Sequence, residues 1–180
     1  MPFLRKSINQ LIKAGSDFIV LPCNTLHLLL PQLRKEFNIE FIDLIEQTAK
    51  EISNNYEGVG IIGSTKTRNG KLYDSAVENT SLIYPFLEEQ EELSKIILRI
   101  LAKESTDKDL IFLDKVIESL IGRGAEKVVL ACTDLGNVLK EDPRLIDSTE
   151  ILIEKIKQKS IKLNNQNGNY TYTYDQDIRG

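Results

Sequence analysis

Residues 11–27, LIKAGSDFIVLPCNTLH, and residues 120–136, LIGRGAEKVVLACTDLG, are two copies of one pattern. At a constant offset of 109 residues, 7 of the 17 aligned positions are identical. Each copy has an amphipathic stretch, a glycine, a short apolar run and then a cysteine, Cys23 or Cys132. Because the chain contains only two cysteines, their coincidence indicates an internal duplication rather than the similarity of any two helix–strand units.

The order of apolar and amphipathic segments predicts an α/β protein. The apolar runs at residues 18–21 and 127–131 are continuous, as expected for parallel strands covered on both faces. Further apolar runs alternate with amphipathic stretches, and this alternation is typical of parallel sheets flanked by helices. The remaining strands are predicted at residues 39–43, 59–62 and 81–85, the helices at residues 1–16, 26–37, 44–54, 72–79, 89–103, 108–123 and 149–162, and a loop at residues 63–67.

Composition and charge exclude several classes of protein. The 180 residues include 23 basic and 27 acidic side chains, and the net charge of −4 argues against a dedicated nucleic-acid binder. No apolar stretch approaches the ~18–20 residues that cross a bilayer, so we expect no membrane partner. Two cysteines and one histidine exclude a disulfide scaffold and a zinc site of four Cys/His ligands. We therefore expect a cytoplasmic protein with reduced thiols and no metal.

The duplication also predicts the domain organisation. Residues 1–56 form the first α/β domain, completed by the helix at 149–162, residues 57–148 form the second, and residues 164–180 form a mobile tail. In the second half, a strand and glycine loop open the unit long before the cysteine. The equivalent element of the first half would precede Met1 by about fifty residues at the same offset, so the first domain is expected to be incomplete.

The paired cysteines suggest chemistry at one carbon atom. Open α/β sheets bind ligands at the carboxyl ends of their strands, so two facing domains would present Cys23 and Cys132 across one cleft. Thiols near helix N-termini are expected to have lowered pKa values. Two such groups can remove a proton from one face of a Cα atom and return one to the other face without a cofactor. A single cysteine would more simply be a small buried hydrophobe, but a matched pair favours catalysis.

Polar residues follow both cysteines. Asn24, Thr25 and Thr133 supply hydroxyl, amide and backbone N–H groups at helix starts, where a carboxylate binds well, although the same residues are also common helix caps. His27 lies one helical turn after its cysteine and could orient a ligand or tune the thiol. Asp134 is a possible partner for His27 across the cleft.

These motifs resemble those of the aspartate/glutamate racemase superfamily. Residues 21–27, LPCNTLH, resemble its first cysteine motif, and residues 131–134, ACTD, its second. Residues 60–67, GIIGSTKT, together with Tyr73, resemble the strand and threonine loop that open the second domain, and Asp43 also fits the pattern. The resemblance extends over about residues 8–162.

The resemblance implies a cofactor-independent amino-acid racemase with two pseudo-symmetric α/β domains, an active site in the cleft between them, and a homodimeric assembly. Cys23 and Cys132 would be the acid/base pair that interconverts L- and D-aspartate. Asn24, Thr25, Thr65 and Thr133 would then hold the α-carboxylate and amino group of the substrate.

The chain also departs from the family pattern. Asp134 stands where aspartate racemases usually carry Glu and glutamate racemases usually carry His, and the opening strand with its Gly-Gly loop is missing. A glutamate or hydantoin racemase, a maleate isomerase or a decarboxylase on the same scaffold are alternatives among enzymes. A truncated inactive homologue, or a module that binds small dicarboxylates, is the alternative from another class.

Overall fold

Parallel strands form the centre of both halves of the protein. The structure is a computed structural model that describes residues 2–139 and 142–167. Strands β1 and β2 form a two-stranded parallel sheet, and four further strands form a second parallel sheet in the order β4-β3-β5-β6. The strands are β1 (Phe18–Val20), β2 (Glu40–Ile42), β3 (Gly58–Gly63), β4 (Ser81–Ile83), β5 (Lys127–Ala131) and β6 (Leu145–Asp147).

Helices connect and flank these strands, as the alternating pattern predicts. They are α1 (Pro2–Lys13), α2 (Leu30–Glu36), α3 (Leu44–Asn55), α4 (Thr65–Asn69), α5 (Leu87–Leu101), α6 (Asp107–Gly122) and α7 (Ser148–Asn167), with 3-10 segments at Asn24–Leu29 and Leu135–Asn137. Within the described residues, none of these helices combines the length and the apolar character needed to cross a membrane. The predicted α/β class with parallel sheets flanked by helices is confirmed.

The two halves repeat the same backbone turn before each cysteine strand. Gly15 and Gly124 occupy equivalent positions and have φ angles of +85° and +101°, a region that favours glycine. At both helix ends the N–H one residue after the glycine donates to the carbonyl five residues earlier, at 3.1 Å. This pattern of hydrogen bonds is the Schellman motif, and it shows that the duplication extends to the local geometry.

Apolar packing joins the two sheets. Val59 and Ile61 on β3 and Val129 on β5 belong to one buried cluster that also contains Ile42 of β2. Helices α3 and α7 contribute to the same cluster and lie against each other. A separate cluster fills the space between β3, β5 and helices α5 and α6, and a third lies between α1, α2 and β1. The strands that lead to the cysteines are therefore packed in apolar clusters, one of which includes residues of both sheets.

One predicted helix is wrong, and a predicted loop is helical instead. Residues 72–76 form turns and residues 77–79 are irregular rather than helical, whereas α4 begins inside the predicted loop at 63–67 and continues to Asn69. The Ser64 side chain caps α4 by accepting a hydrogen bond from the N–H of Thr67, at 3.2 Å. Lys71 has a φ of +50°, which is incompatible with a right-handed helix, so no helix continues through it. The apolar residues that directly follow are therefore in turns.

The other differences concern boundaries and a short strand. The predicted helix at 26–37 begins as a 3-10 segment and becomes α-helical at Leu30, with Pro31 in the first turn where its missing N–H costs nothing. Strand β6 is three residues long and was absent from the prediction. Helix α7 continues to Asn167, beyond the predicted end at residue 162, and the rest of the predicted tail lies outside the described residues.

We expect Gly63→Ala to destabilise the protein. An alanine Cβ at this position would lie 2.6 Å from the carbonyl oxygen of Ala131, a backbone atom of the neighbouring strand that cannot move alone. Overpacking of this kind costs about 1–3 kcal/mol, which thermal unfolding followed by circular dichroism would detect. Gly122→Ala is the matched control, since nothing lies within 4 Å of a Cβ there. A melting temperature of the Gly63 variant equal to that of the control would contradict the close approach.

Candidate active site

The two cysteines follow β1 and β5, and the loops that carry them touch each other. The Thr133 hydroxyl, next to Cys132, donates to the carbonyl of Pro22, next to Cys23, at 3.4 Å. Each cysteine also begins the same turn, since the N–H three residues later donates to its carbonyl at 3.1 Å in both copies. Both thiols are half-buried and free. The carboxyl ends of the two cysteine strands therefore meet at one place.

Burial dominates the electrostatics of Cys132. It raises the pKa of this thiol to about 11, with smaller raising effects from the Asp134 carboxylate and from the nearby Cys23. The Cys132 Sγ atom lies 3.9 Å from an oxygen of Asp134, to which it donates. Backbone N–H groups act in the opposite direction but do not overcome desolvation. The expectation of a lowered pKa is wrong for Cys132, which keeps its proton at neutral pH.

Asn24 lies inside the protein rather than at its surface. Its side-chain oxygen accepts a hydrogen bond from the hydroxyl of Tyr73 at 2.6 Å, and its side-chain nitrogen donates to Ser148 Oγ at 3.3 Å. Ser148 in turn donates to the carbonyl of Leu130 on β5 at 2.7 Å. Asn24 is 2% exposed, because the protein itself surrounds its side chain. Contact of this side chain with a substrate stays a prediction.

Thr25 belongs to a cluster of three hydroxyl groups. Its Oγ1 lies 3.0 Å from Ser64 Oγ and 3.2 Å from Thr67 Oγ1, and the latter two are 3.1 Å apart. The cluster joins the segment after Cys23 to the start of α4. Each hydroxyl can reverse its donor and acceptor roles, so the cluster can adapt to an anionic group placed against it.

Thr65 stands on the exposed side of the same loop. Its Oγ1 lies 2.7 Å from Ser94 Oγ on α5, and Ser94 donates to the carbonyl of Gln90 at 3.0 Å. The buried Gln90 side chain donates to the carbonyl of Gly63 at 2.9 Å, at the end of β3. Helix α5 therefore holds the threonine loop through the hydrogen bonds of Ser94 and Gln90.

His27 is buried, and both of its ring nitrogens have partners in the protein. The N–H of Leu44 donates to Nε2 at 3.1 Å, so the ring proton resides on Nδ1, which donates to the carbonyl of Cys23 at 3.0 Å. Burial lowers the pKa of this imidazole, against the raising effect of the Asp43 carboxylate 3.7 Å away. His27 is therefore neutral at pH 7, and ligand contact by its side chain stays a prediction.

The structure brings most of the predicted residues to one region and adds others. Cys23, Cys132 and Thr133 meet through the contact between their loops. Ser64 and Thr67, from the predicted loop at 63–67, join the region, and so does Ser148, which no motif in the sequence indicates. Serine and threonine at a strand-to-helix junction signal a cap, and this signal alone does not reveal a second contact across the fold. Among the described residues, no group of three or more His, Cys, Asp and Glu side chains is arranged to hold a metal ion.

Comparison with known proteins places this arrangement in a family. The model of the Asp/Glu/hydantoin racemase family matches residues 1–156. A broad-specificity amino-acid racemase of Bacillus subtilis is 23% identical over 146 residues, which are 79% of this chain and 64% of that protein. The chain thus spans less than two thirds of the length of this relative.

Solved structures share the fold. An aspartate racemase homologue from Pyrococcus horikoshii is 26% identical with a TM-score of 0.74, over 89% of this chain and 74% of that one. Glutamate racemase from Thermus thermophilus, in complex with β-chloro-D-alanine, is 20% identical with a TM-score of 0.62, over 95% of this chain and 64% of that one. The architecture is thus that of two-domain racemases.

We expect Cys132 to react slowly with iodoacetamide at neutral pH. The thiolate is the reactive species, and with a pKa of about 11 its fraction keeps rising with pH beyond pH 9, where an ordinary thiol is already largely ionised. A Cys23→Ser variant leaves Cys132 as the only thiol, so the alkylation rate followed by mass spectrometry from pH 6 to about pH 10 reports on it alone. A rate that levels off below pH 8 would contradict the effect of burial.

Proposed function

The chain belongs to the Asp/Glu/hydantoin racemase family, and we propose on this basis that it interconverts L- and D-aspartate by proton transfer at Cα between Cys23 and Cys132. The observation that carries the proposal is the placement of the two thiols. They stand at equivalent positions of a duplicated unit, in loops that contact each other through Thr133 and Pro22.

In the proposed mechanism one cysteine is the base and the other is the acid. The thiolate on one side removes the Cα proton, and the C–H electron pair passes into the substrate carboxylate, forming an enediolate-like carbanion. The thiol on the other side then donates its proton to the opposite face of the carbon. After each turnover the former base is a thiol and the former acid is a thiolate. This is the arrangement of protonation states that the opposite enantiomer requires.

The protonated state of Cys132 suits the role of acid. This thiol holds its proton and donates it in a hydrogen bond to the Asp134 carboxylate. When the opposite enantiomer binds, Cys132 must act as a base, and the substrate ammonium group brought near it would favour the thiolate. Racemisation in both directions needs the thiol form and the thiolate form of Cys132. The bound substrate therefore has to stabilise the thiolate in part.

Hydroxyl and backbone donors would stabilise the negative charge that develops on the substrate carboxylate. Thr25, with Ser64 and Thr67, forms a hydroxyl cluster on one side of the contacting loops, and Thr133 lies on the other. Donors aimed at the place where charge develops lower the barrier more than groups that bind the ground state equally well. Thr65 and the backbone of Asn24 complete the proposed carboxylate site.

Aspartate is the proposed substrate because the sequence motifs and the structural comparison both support it. The cysteine motifs resemble those of aspartate racemases, and among structures the aspartate racemase homologue of Pyrococcus horikoshii matches at 26% identity. The Bacillus subtilis relative is described as having broad specificity, so a panel of amino acids has to decide the substrate.

We expect the protein to convert L-aspartate to an equal mixture of both enantiomers, because enantiomers have equal free energies. Chiral chromatography after incubation with L-aspartate, L-glutamate, L-alanine and L-serine, with no cofactor added, would measure each conversion. The double variant Cys23→Ser/Cys132→Ser, purified in parallel, controls for racemases of the expression host. Folded protein that racemises none of these amino acids would contradict the racemase proposal, and faster conversion of another amino acid would contradict aspartate.

Each cysteine should be needed for inversion. We expect Cys23→Ser and Cys132→Ser each to lower racemisation by at least about 100-fold, because a serine hydroxyl is a far weaker base than a thiolate. In D₂O each single variant should still exchange the Cα proton of one enantiomer, and the two variants should prefer opposite enantiomers. Wild-type inversion by either variant would show that its cysteine is not part of a two-base pair.

A further inference from the structure

A buried chain of hydrogen bonds runs from the second half of the protein to the first and back. Tyr73 donates to Asn24, Asn24 donates to Ser148, and Ser148 donates to the carbonyl of Leu130. Tyr73, Asn24 and Ser148 are 1%, 2% and 0% exposed, so water does not compete for these bonds. Two of the three bonds are O–H···O bonds of 2.6 Å and 2.7 Å, lengths that are normal for well-formed bonds of this type.

The chain of bonds has a single direction. Burial raises the pKa of Tyr73, so the phenol keeps its proton and donates it to Asn24. Ser148 has one proton, and the carbonyl of Leu130 can only accept, so Ser148 must accept from the Asn24 nitrogen. Rotating the Asn24 amide by half a turn would break this order. The Asn24 side chain is therefore fixed in both position and orientation.

Two members of this chain of bonds, Asn24 and Leu130, are close to the two cysteines in sequence. Asn24 directly follows Cys23, and Leu130 precedes Cys132 by two residues on the rigid strand β5. Tyr73, by contrast, comes from the turns between α4 and β4. A hydrogen bond from Tyr73 thus bears on the position of Cys23 relative to β5, and removing the hydroxyl would leave the buried side-chain oxygen of Asn24 without this partner.

We propose that Tyr73 is a positioning residue, which through Asn24 and Ser148 sets the distance of the Cys23 thiol from the Cys132 thiol. The proposal rests on the proposed two-thiol racemisation and adds a residue that touches neither the substrate nor the reacting atoms. Two groups that act on opposite faces of one carbon must be held in register, and a displacement of about 1 Å can cost about 100-fold in rate.

Tyr73→Phe is the test, because it removes the hydroxyl and keeps the ring that packs in the core. Tyr84→Phe is the matched control. Its hydroxyl donates to Asp74, the residue after Tyr73, at the same length of 2.6 Å, so this variant loses a bond of the same segment and keeps the bond from Tyr73 to Asn24. Both variants lose one phenol hydroxyl, so a difference between them isolates the connection to Asn24.

The first readout compares inversion with exchange in D₂O. Exchange with retention uses one cysteine, which removes the Cα proton and returns a deuteron to the same face, whereas inversion needs both. We expect Tyr73→Phe to lower kcat for inversion by about 10- to 100-fold with KM nearly unchanged, and exchange by clearly less. Tyr84→Phe should leave both rates near wild type. An equal fall of inversion and exchange in Tyr73→Phe would show a merely structural role and overturn the proposal.

The second readout does not depend on catalysis. Dibromobimane becomes fluorescent when both of its arms have reacted with thiols, and the chain has only two cysteines. We expect the bridging rate, relative to the rate of the first alkylation, to fall several-fold in Tyr73→Phe and to stay at the wild-type value in Tyr84→Phe. Unchanged bridging in Tyr73→Phe would overturn the proposal. If the wild-type protein racemises no amino acid, the proposed function fails, and bridging still decides whether Tyr73 positions the thiols.

Discussion

The cysteines of this protein belong to different sheets, and any chemistry that needs both depends on how those sheets are fixed to each other. Apolar packing between β2, β3 and β5 brings the sheets together, but dispersion energy changes gradually when packed side chains slide. Hydrogen bonds depend more steeply on distance and angle. The hydrogen bonds from Tyr73 through Asn24 and Ser148 to the Leu130 carbonyl therefore fix the segment after Cys23 relative to β5 more closely than apolar packing alone does.

Much of the fold follows from local features of the sequence. The continuous apolar runs before Cys23 and Cys132 form buried strands, and Gly15 and Gly124 end the preceding helices with positive φ angles. These features depend on residues within a few positions of each other, which is why the duplication was visible from sequence. The resemblance of the cysteine motifs to the racemase superfamily is confirmed by the family match over residues 1–156.

The features that were not predicted depend on distant partners. Asn24 and Ser148 are separated by 124 positions and Asn24 and Tyr73 by 49, so no local pattern shows that one buried amide serves both. Strand β6 has only three residues and forms because β5 offers its free edge. His27 follows the cysteine at helical spacing, but no local pattern shows that its Nε2 accepts a hydrogen bond from the N–H of Leu44. Local sequence placed these side chains near the site without showing what they contact.

The two duplicated halves differ in the side chains that surround Cys23 and Cys132. His27 and Gly136 are equivalent in the alignment of the two copies. A Cβ at Gly136 would lie 2.1 Å from a carboxylate oxygen of Asp147, so a side chain there would displace this carboxylate, whereas the first copy holds a neutral imidazole at this place. Beside Cys132 stands Asp134, whose carboxylate accepts a hydrogen bond from the thiol. In a two-base mechanism one thiol must be protonated while the other is not, and two identical surroundings would favour neither arrangement. The local loss of symmetry therefore supplies a bias that a perfectly duplicated site would lack.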